Sequence, residues 1–186
     1  MSTTSPTKSP LGTLTLIVGC AVAVAMGLAL WIRGGDIGFV GDPIGGLAVG
    51  KTAPPVNAGA WLNGEPPSAE SMQGKVRVVH GWFTACPVCW REAPELVRLH
   101  KKYGESQVVF LGLTPDGEDI LSHIEGFLDK NGITWPNGYD ARQTLIDFDV
   151  TGFPCVWVID AQGKVVWNRD SRESLEEGIE AALAAR

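Results

Sequence analysis

Paired histidines are missing from this chain, and so is any excess of positive charge. Its 186 residues carry 15 Lys and Arg against 21 Asp and Glu, a net charge of −6 with a pI near 5.0. That balance lacks the electrostatic footprint of a nucleic-acid binder. The three histidines, His80, His100 and His123, are scattered without short spacing. A structural zinc site takes four ligands, commonly from two Cys pairs or from Cys and His pairs. Here only one close Cys pair exists, so no metal is expected. The 4 cysteines are Cys20, Cys86, Cys89 and Cys155, too few in too long a chain for a disulfide-stapled mini-domain. No internal repeat is present.

One long uncharged run stands out, Leu11 to Ile32, 22 residues. As a helix it reaches about 33 Å, enough for a hydrocarbon core of about 30 Å. It reads as a transmembrane signal-anchor behind a cytoplasmic stub, residues 1–10. A cleaved signal peptide is the alternative, but the run is longer than a usual apolar region and no small-x-small site follows it cleanly. "IVGC" at Ile17 to Cys20 resembles a bacterial lipobox, yet another dozen apolar residues follow. Lys8 precedes the span; Arg33, Asp36 and Asp42 follow it, a slight preference for the amino terminus inside. Residues 33–50 are glycine-dominated without a period and read as a linker.

From residue 51 the pattern becomes that of a packed domain, residues 51–186. Asn63-Gly64 is a turn signal that would join two short edge strands. "VRVVHGWF", Val76 to Phe83, reads as a buried strand, and so does "VVFLGL", Val108 to Leu113. Between them Ala93, Leu96, Leu99 and Tyr103 recur at helical spacing, with Arg91, Glu95, Arg98 and Lys102 facing away. A second helix carries Ile120, Leu121, Ile124, Phe127 and Leu128 on one stripe and stops at Gly132. A shorter one starts with Asp140 as its cap. "CVWVIDAQGKVVWN" is a hairpin around Ala161-Gln162-Gly163, and Ser171 caps a closing amphipathic helix. The order β, α, β, α, α, β, β, α predicts an α/β fold, a central mixed sheet with helices on both faces.

The pair in "WFTACPVCWREAP", Trp82 to Pro94, sits where a buried strand becomes a helix. A bond between Cys86 and Cys89 closes too small a loop to stabilise the fold much. Redox chemistry suits the position better. Unpaired N–H groups and the positive end of the dipole at a helix start favour thiolate over thiol. Cys86 therefore reads as the nucleophile and Cys89, a turn later and deeper, as the resolving thiol. Pro87 suits the first helical turn. Pro94 in mid-helix is expected to kink it.

Together with "VTGFPCVWVIDAQGKVV", this stretch resembles the thioredoxin superfamily, and within it the membrane-anchored thiol-disulfide oxidoreductases of the TlpA, ResA and DsbE type. The likeness runs from about Gly50 to Ala184. It implies a thioredoxin-like three-layer fold with an extra helix within Thr114 to Pro136. It implies that Cys86 is exposed and Cys89 buried, and that the redox-active Cys86–Cys89 disulfide serves with no other cofactor. Pro154 falls at the family's cis-proline, which lies against the disulfide and helps pair with substrate backbone. Glu92 falls where such proteins carry a glutamate near the site, suited to proton transfer; a solvated helix-face charge is the other reading. Trp82, Trp90 and Phe153 are candidates for the lip that meets substrate. Three departures stand beside the likeness. His80 occupies the position of a buried aspartate or asparagine, and is either a proton shuttle or a hydrogen-bonded core residue. Ala85 replaces a tryptophan. Cys155 replaces a threonine, and is either a small buried residue or a third thiol beside the pair.

The resemblance, together with the anchor, implies a single-pass membrane protein with an extracytoplasmic domain that reduces exported cysteine proteins such as apocytochrome c; a monomer is expected. A membrane electron donor would re-reduce it. Two other functions remain open. A Cu(I)-delivery protein of the same fold usually spaces its cysteines C-x-x-x-C and adds a distal histidine with no clear counterpart here. A peroxiredoxin-type peroxidase needs Pro-x-x-x-Thr-x-x-Cys, whereas Thr84 stands two residues before Cys86 and the proline is absent.

Overall fold

The computed structural model describes residues 45–185, apart from residue 67 and residues 105–107. The 11–32 span therefore lies outside the described residues, among which no helix is long and apolar enough to cross a membrane. In chain order the elements are β1 (Ala60–Leu62), α1 (Ala69–Met72), β2 (Val76–Gly81), α2 (Pro87–Tyr103), β3 (Val108–Leu113), a 3-10 turn (Glu118–Ile120), α3 (Leu121–Asn131), β4 (Asn137–Tyr139), α4 (Arg142–Asp147), β5 (Cys155–Ile159), β6 (Val165–Asn168) and α5 (Leu175–Ala184).

The six strands form one mixed sheet in the order β1-β4-β3-β2-β5-β6. β2 and β3 run parallel, with Val76 opposite Val108 and Gly81 opposite Leu113. β5 returns antiparallel on the other side of β2, setting Gly81 opposite Cys155 and His80 opposite Val156. The apolar runs are continuous because both faces are covered. On one face Val76, Val78, Val156 and Val158 meet Cys89, Ala93, Leu96 and Leu99 of α2, Ile124 and Phe127 of α3, and Ile179 of α5. On the other, Val79, Leu113, Trp157 and Ile159 meet Leu145 and Phe148 around α4, together with Leu47 from the amino-terminal segment. The layering is the expected thioredoxin-like α/β arrangement.

Several boundaries differ from the sequence reading. Leu47, assigned above to the linker, is only 8% exposed, and its N–H donates to the Phe148 carbonyl. Apolar packing, not composition, decides where the domain starts. Asn63 and Gly64 do turn the chain with positive φ, but they do not join two paired strands. The Asn63 amide donates instead to Ile133 O at 2.6 Å, and β1 pairs antiparallel with β4, a strand the sequence did not suggest. Asp140 caps nothing; it takes a left-handed φ of 52°, and its N–H donates to Asp116 O. Ser171 is not the last cap either. Its hydroxyl accepts the Asn168 N–H to close the turn after β6, and Ser174 makes the capping box with Glu177. Gly132 ends α3 in the left-handed conformation, as expected. Pro94 sits inside an unbroken 17-residue helix.

Candidate active site

α2 begins at the cysteines because Cys86 is its N-cap and Pro87 its first residue. Cys86 and Cys89 form a disulfide with Cα atoms 5.3 Å apart. The Cys89 N–H, one of the unpaired donors of the first turn, points at Cys86 Sγ at 3.1 Å. Cys89 is fully buried. Cys86, expected to be exposed, retains only 3% of its surface, so in the disulfide form the exposed surface of the motif belongs to Ala85 and Pro87 on either side of it. The preceding turn is held at three points. Cys86 N–H donates to Phe83 O, Thr84 N–H to Asp116 Oδ2 at 2.7 Å, and the Trp90 indole N–H to Thr84 O at 2.9 Å.

The remaining site residues separate by environment. Phe153–Pro154 is a cis peptide, and Phe153 stands edge-on to Phe83 at 5.3 Å. Trp90 is half-buried and edge-on to Phe127. Trp82 is not a lip residue: it is 0% exposed, stacked on Phe127 at 4.0 Å, and its indole N–H donates to Asn137 Oδ1 at 3.1 Å. Glu92 is not a freely solvated charge. Its carboxylate accepts from the Arg169 guanidinium, delivered by the turn after β6, and both groups are half-buried.

His80 is 1% exposed, and neither ring nitrogen has a hydrogen-bond partner among the described residues. Of the two readings offered by the sequence, the hydrogen-bonded core histidine is corrected to a buried ring without a hydrogen bond among the described residues. Alternation along β2 puts its side chain on the α2 face, with Val78 and Trp82. Burial pushes its pKa down to about 3, and the charge of Arg169 adds to the shift. The ring is neutral at physiological pH. Cys155 falls on the other side: it packs with Val79 and Leu145 on the face away from the disulfide. It is fully buried and its thiol donates to Gly152 O at 2.8 Å. Burial pushes its pKa up to about 12, against a smaller pull from Arg169. These facts favour the small buried residue over a third working thiol. Among the described residues no group of three or more His, Cys, Asp or Glu could hold a metal ion.

Asp116, Asn137 and Arg169 are the positioning residues that sequence reasoning missed. Each reaches the site from a distant element, and no local pattern marks it.

A disulfide at the start of a buried-strand-to-helix junction, on this sheet, defines a thioredoxin-like thiol-disulfide exchange domain. Residues 48–183 match the family described as Redoxin, and the chain belongs to it. Thiol-disulfide oxidoreductase ResA of Bacillus thuringiensis (strain Al Hakam) is 31% identical over 121 residues, 64% of this chain and 68% of that protein. The thioredoxin-like protein YneN of Bacillus subtilis (strain 168) is 26% identical over 120 residues, 64% of this chain and 70% of that one. Among solved structures, a thiol-disulfide isomerase from Corynebacterium glutamicum superposes with a TM-score of 0.62 at 25% identity, covering 71% of this chain and 97% of that one. The thioredoxin domain of a Bacteroides vulgatus thiol-disulfide oxidoreductase gives 0.63 at 23% identity, covering 74% and 99%, and supports the fold. The protein is a protein-disulfide oxidoreductase of the TlpA and ResA kind.

Proposed function

We propose that the chain is a membrane-tethered reductase of disulfides in exported proteins, apocytochrome c among them, with its domain on the extracytoplasmic side. The observation that carries the redox part is the Cys89 N–H aimed at Cys86 Sγ at the helix start. In the reduced protein this donor and the helix dipole favour the Cys86 thiolate. That thiolate attacks one sulfur of the substrate disulfide; a mixed disulfide forms and the other substrate sulfur leaves as thiolate. Cys89, deprotonated, attacks Cys86 Sγ, which releases the second substrate thiolate and leaves the Cys86–Cys89 disulfide. Two electrons have passed to the substrate, and its thiolates take up two protons. A dithiol donor in the membrane returns two electrons, and the domain acts as a monomer. The uncharged run 11–32 and the extracytoplasmic relatives implied by the resemblance support the tether.

The test is a titration of the pair in a dithiol buffer, followed by tryptophan fluorescence. A reductase is expected below about −230 mV, near the ~−270 mV of thioredoxin; a value above about −150 mV, toward DsbA, would reverse the proposed electron flow.

A further inference from the structure

Beside the disulfide lies a cleft of ≈ 260 Å³ between the Thr84–Ala85 turn and α3. Trp90 forms its inner wall, pinned by its indole hydrogen bond to Thr84 O and by edge contact with Phe127. The cleft stays open for two reasons of composition. Ala85, next to Cys86, adds only a methyl group, and at Gly126 an added Cβ would meet nothing within 4 Å. Its volume is below the ~300 Å³ at which small-molecule pockets begin, so it suits a side chain better than a metabolite.

The charge around it is unlike the rest of this acidic chain. Lys130 and His123 line it, and no carboxylate does. At about 100° per residue, seven residues bring His123 and Lys130 within about 20° of each other on α3, while Glu125 and Asp129 lie about 100° or more round the helix. The nearby Asp116 carboxylate accepts the Thr84 N–H. Lys130 and His123 themselves form no ion pair or side-chain hydrogen bond among the described residues. Two donors therefore face an open cleft beside the nucleophile without a partner of their own.

We propose that this cleft is a specificity subsite that receives a carboxylate side chain of the protein substrate, close in sequence to the cysteine under attack. It rests on the oxidoreductase reading above. Lys130 and His123 donate to the carboxylate, Ser122 rims the cleft, and Trp90 packs against the aliphatic stem. Substrates with Asp or Glu beside the reactive cysteine are preferred over those with Lys.

The experiment uses the full chain, reduced, in detergent. Disulfide-linked dimers of the capped peptide Ala-X-Cys-X-Ala are the substrates, with X as Glu, Gln or Lys, and oxidation of the Cys86–Cys89 pair is followed by tryptophan fluorescence at low salt. The Glu peptide is expected to react about 3–5-fold faster than the Gln peptide, the scale of an exposed ion pair, and the Lys peptide more slowly. The Glu/Gln ratio is expected to fall toward one in 1 M salt, in Lys130→Ala, and in Gly126→Leu, which plugs the cleft where the backbone leaves room. Lys130→Glu is expected to invert the order. Equal rates for all three peptides, or a Glu/Gln ratio that survives Lys130→Ala and Gly126→Leu, would overturn the subsite and leave the oxidoreductase reading standing. No exchange with any peptide would overturn both.

Discussion

Burial holds the His80 imidazole neutral down to about pH 3, whereas in the unfolded chain it takes up a proton near 6.5. Below pH 6.5 the unfolded state thus binds more protons at this position, so stability falls as the pH falls toward 3 and is unaffected by this group above 6.5. Between pH 6.5 and 4.5 the wild type is expected to lose about 2 kcal/mol more than His80→Leu, a difference that cancels the shared carboxylates. Urea midpoints for both proteins at the two pH values check this, and parallel losses would mean that the buried ring finds a proton partner. Cys155 calls for a different test. With its thiol turned to Gly152 O on the far face of the sheet, Cys155→Ser is expected to leave the exchange rate unchanged. Native protein at pH 8 should not be alkylated at this position, because the thiolate is the reactive form. Rapid labelling or an altered mixed-disulfide pattern would restore the third-thiol reading. Of the site residues, Cys86 and Cys89 were legible because they act through three residues of local helix start. Glu92 was read without its partner, because Arg169 lies 77 residues away and nothing in the intervening text announces the pairing.

At the level of elements, the long apolar runs of β2, β3 and β5 were legible, as were the stripes of α2 and α3, because burial on a regular period marks them. β4 was not. Asn-Gly-Tyr reads as a turn, and becomes a strand only because β3 and β1 pair with it from both sides. Its first residue also reaches the site: the Asn137 side chain accepts the Trp82 indole N–H and donates to Trp135 O. Asn137→Ala leaves that indole group buried without a partner, at a cost of about 1–3 kcal/mol. A lowered urea midpoint together with a change in tryptophan emission is the expected result; an unchanged midpoint would mean that the indole is satisfied some other way. The closing helix gives a milder test. Ser174→Ala removes the capping box and is expected to destabilise by about 1 kcal/mol, whereas Ser171→Ala should leave the helix intact. Equal effects of the two would return the cap to Ser171. Both serines precede the same apolar run, so spacing alone could not choose between them.

For the whole molecule, the proposed tether makes a prediction that separates the three readings of the amino terminus. An anchored chain stays in the membrane pellet after alkaline carbonate and keeps residues 1–32; a cleaved signal gives a shorter soluble chain, and lipidation gives a chain that begins at Cys20 with an acyl mass. The first result is expected, and intact-mass measurement on the membrane fraction decides it. The segment that follows has its own part in the fold. Gly50 N–H donates to Val165 O at 2.7 Å and Val165 N–H to Lys51 O at 2.9 Å, while Thr52 bridges Lys164 antiparallel. The outer strand β6 thus wears a sheath of its own chain. An uncovered strand edge is a template for another copy. A chain shortened to begin at Pro54 would lay that edge bare and should self-associate with rising concentration. The lead-in to the domain would then be less a leash than a selvedge, the woven border that keeps a fabric from fraying into its neighbour.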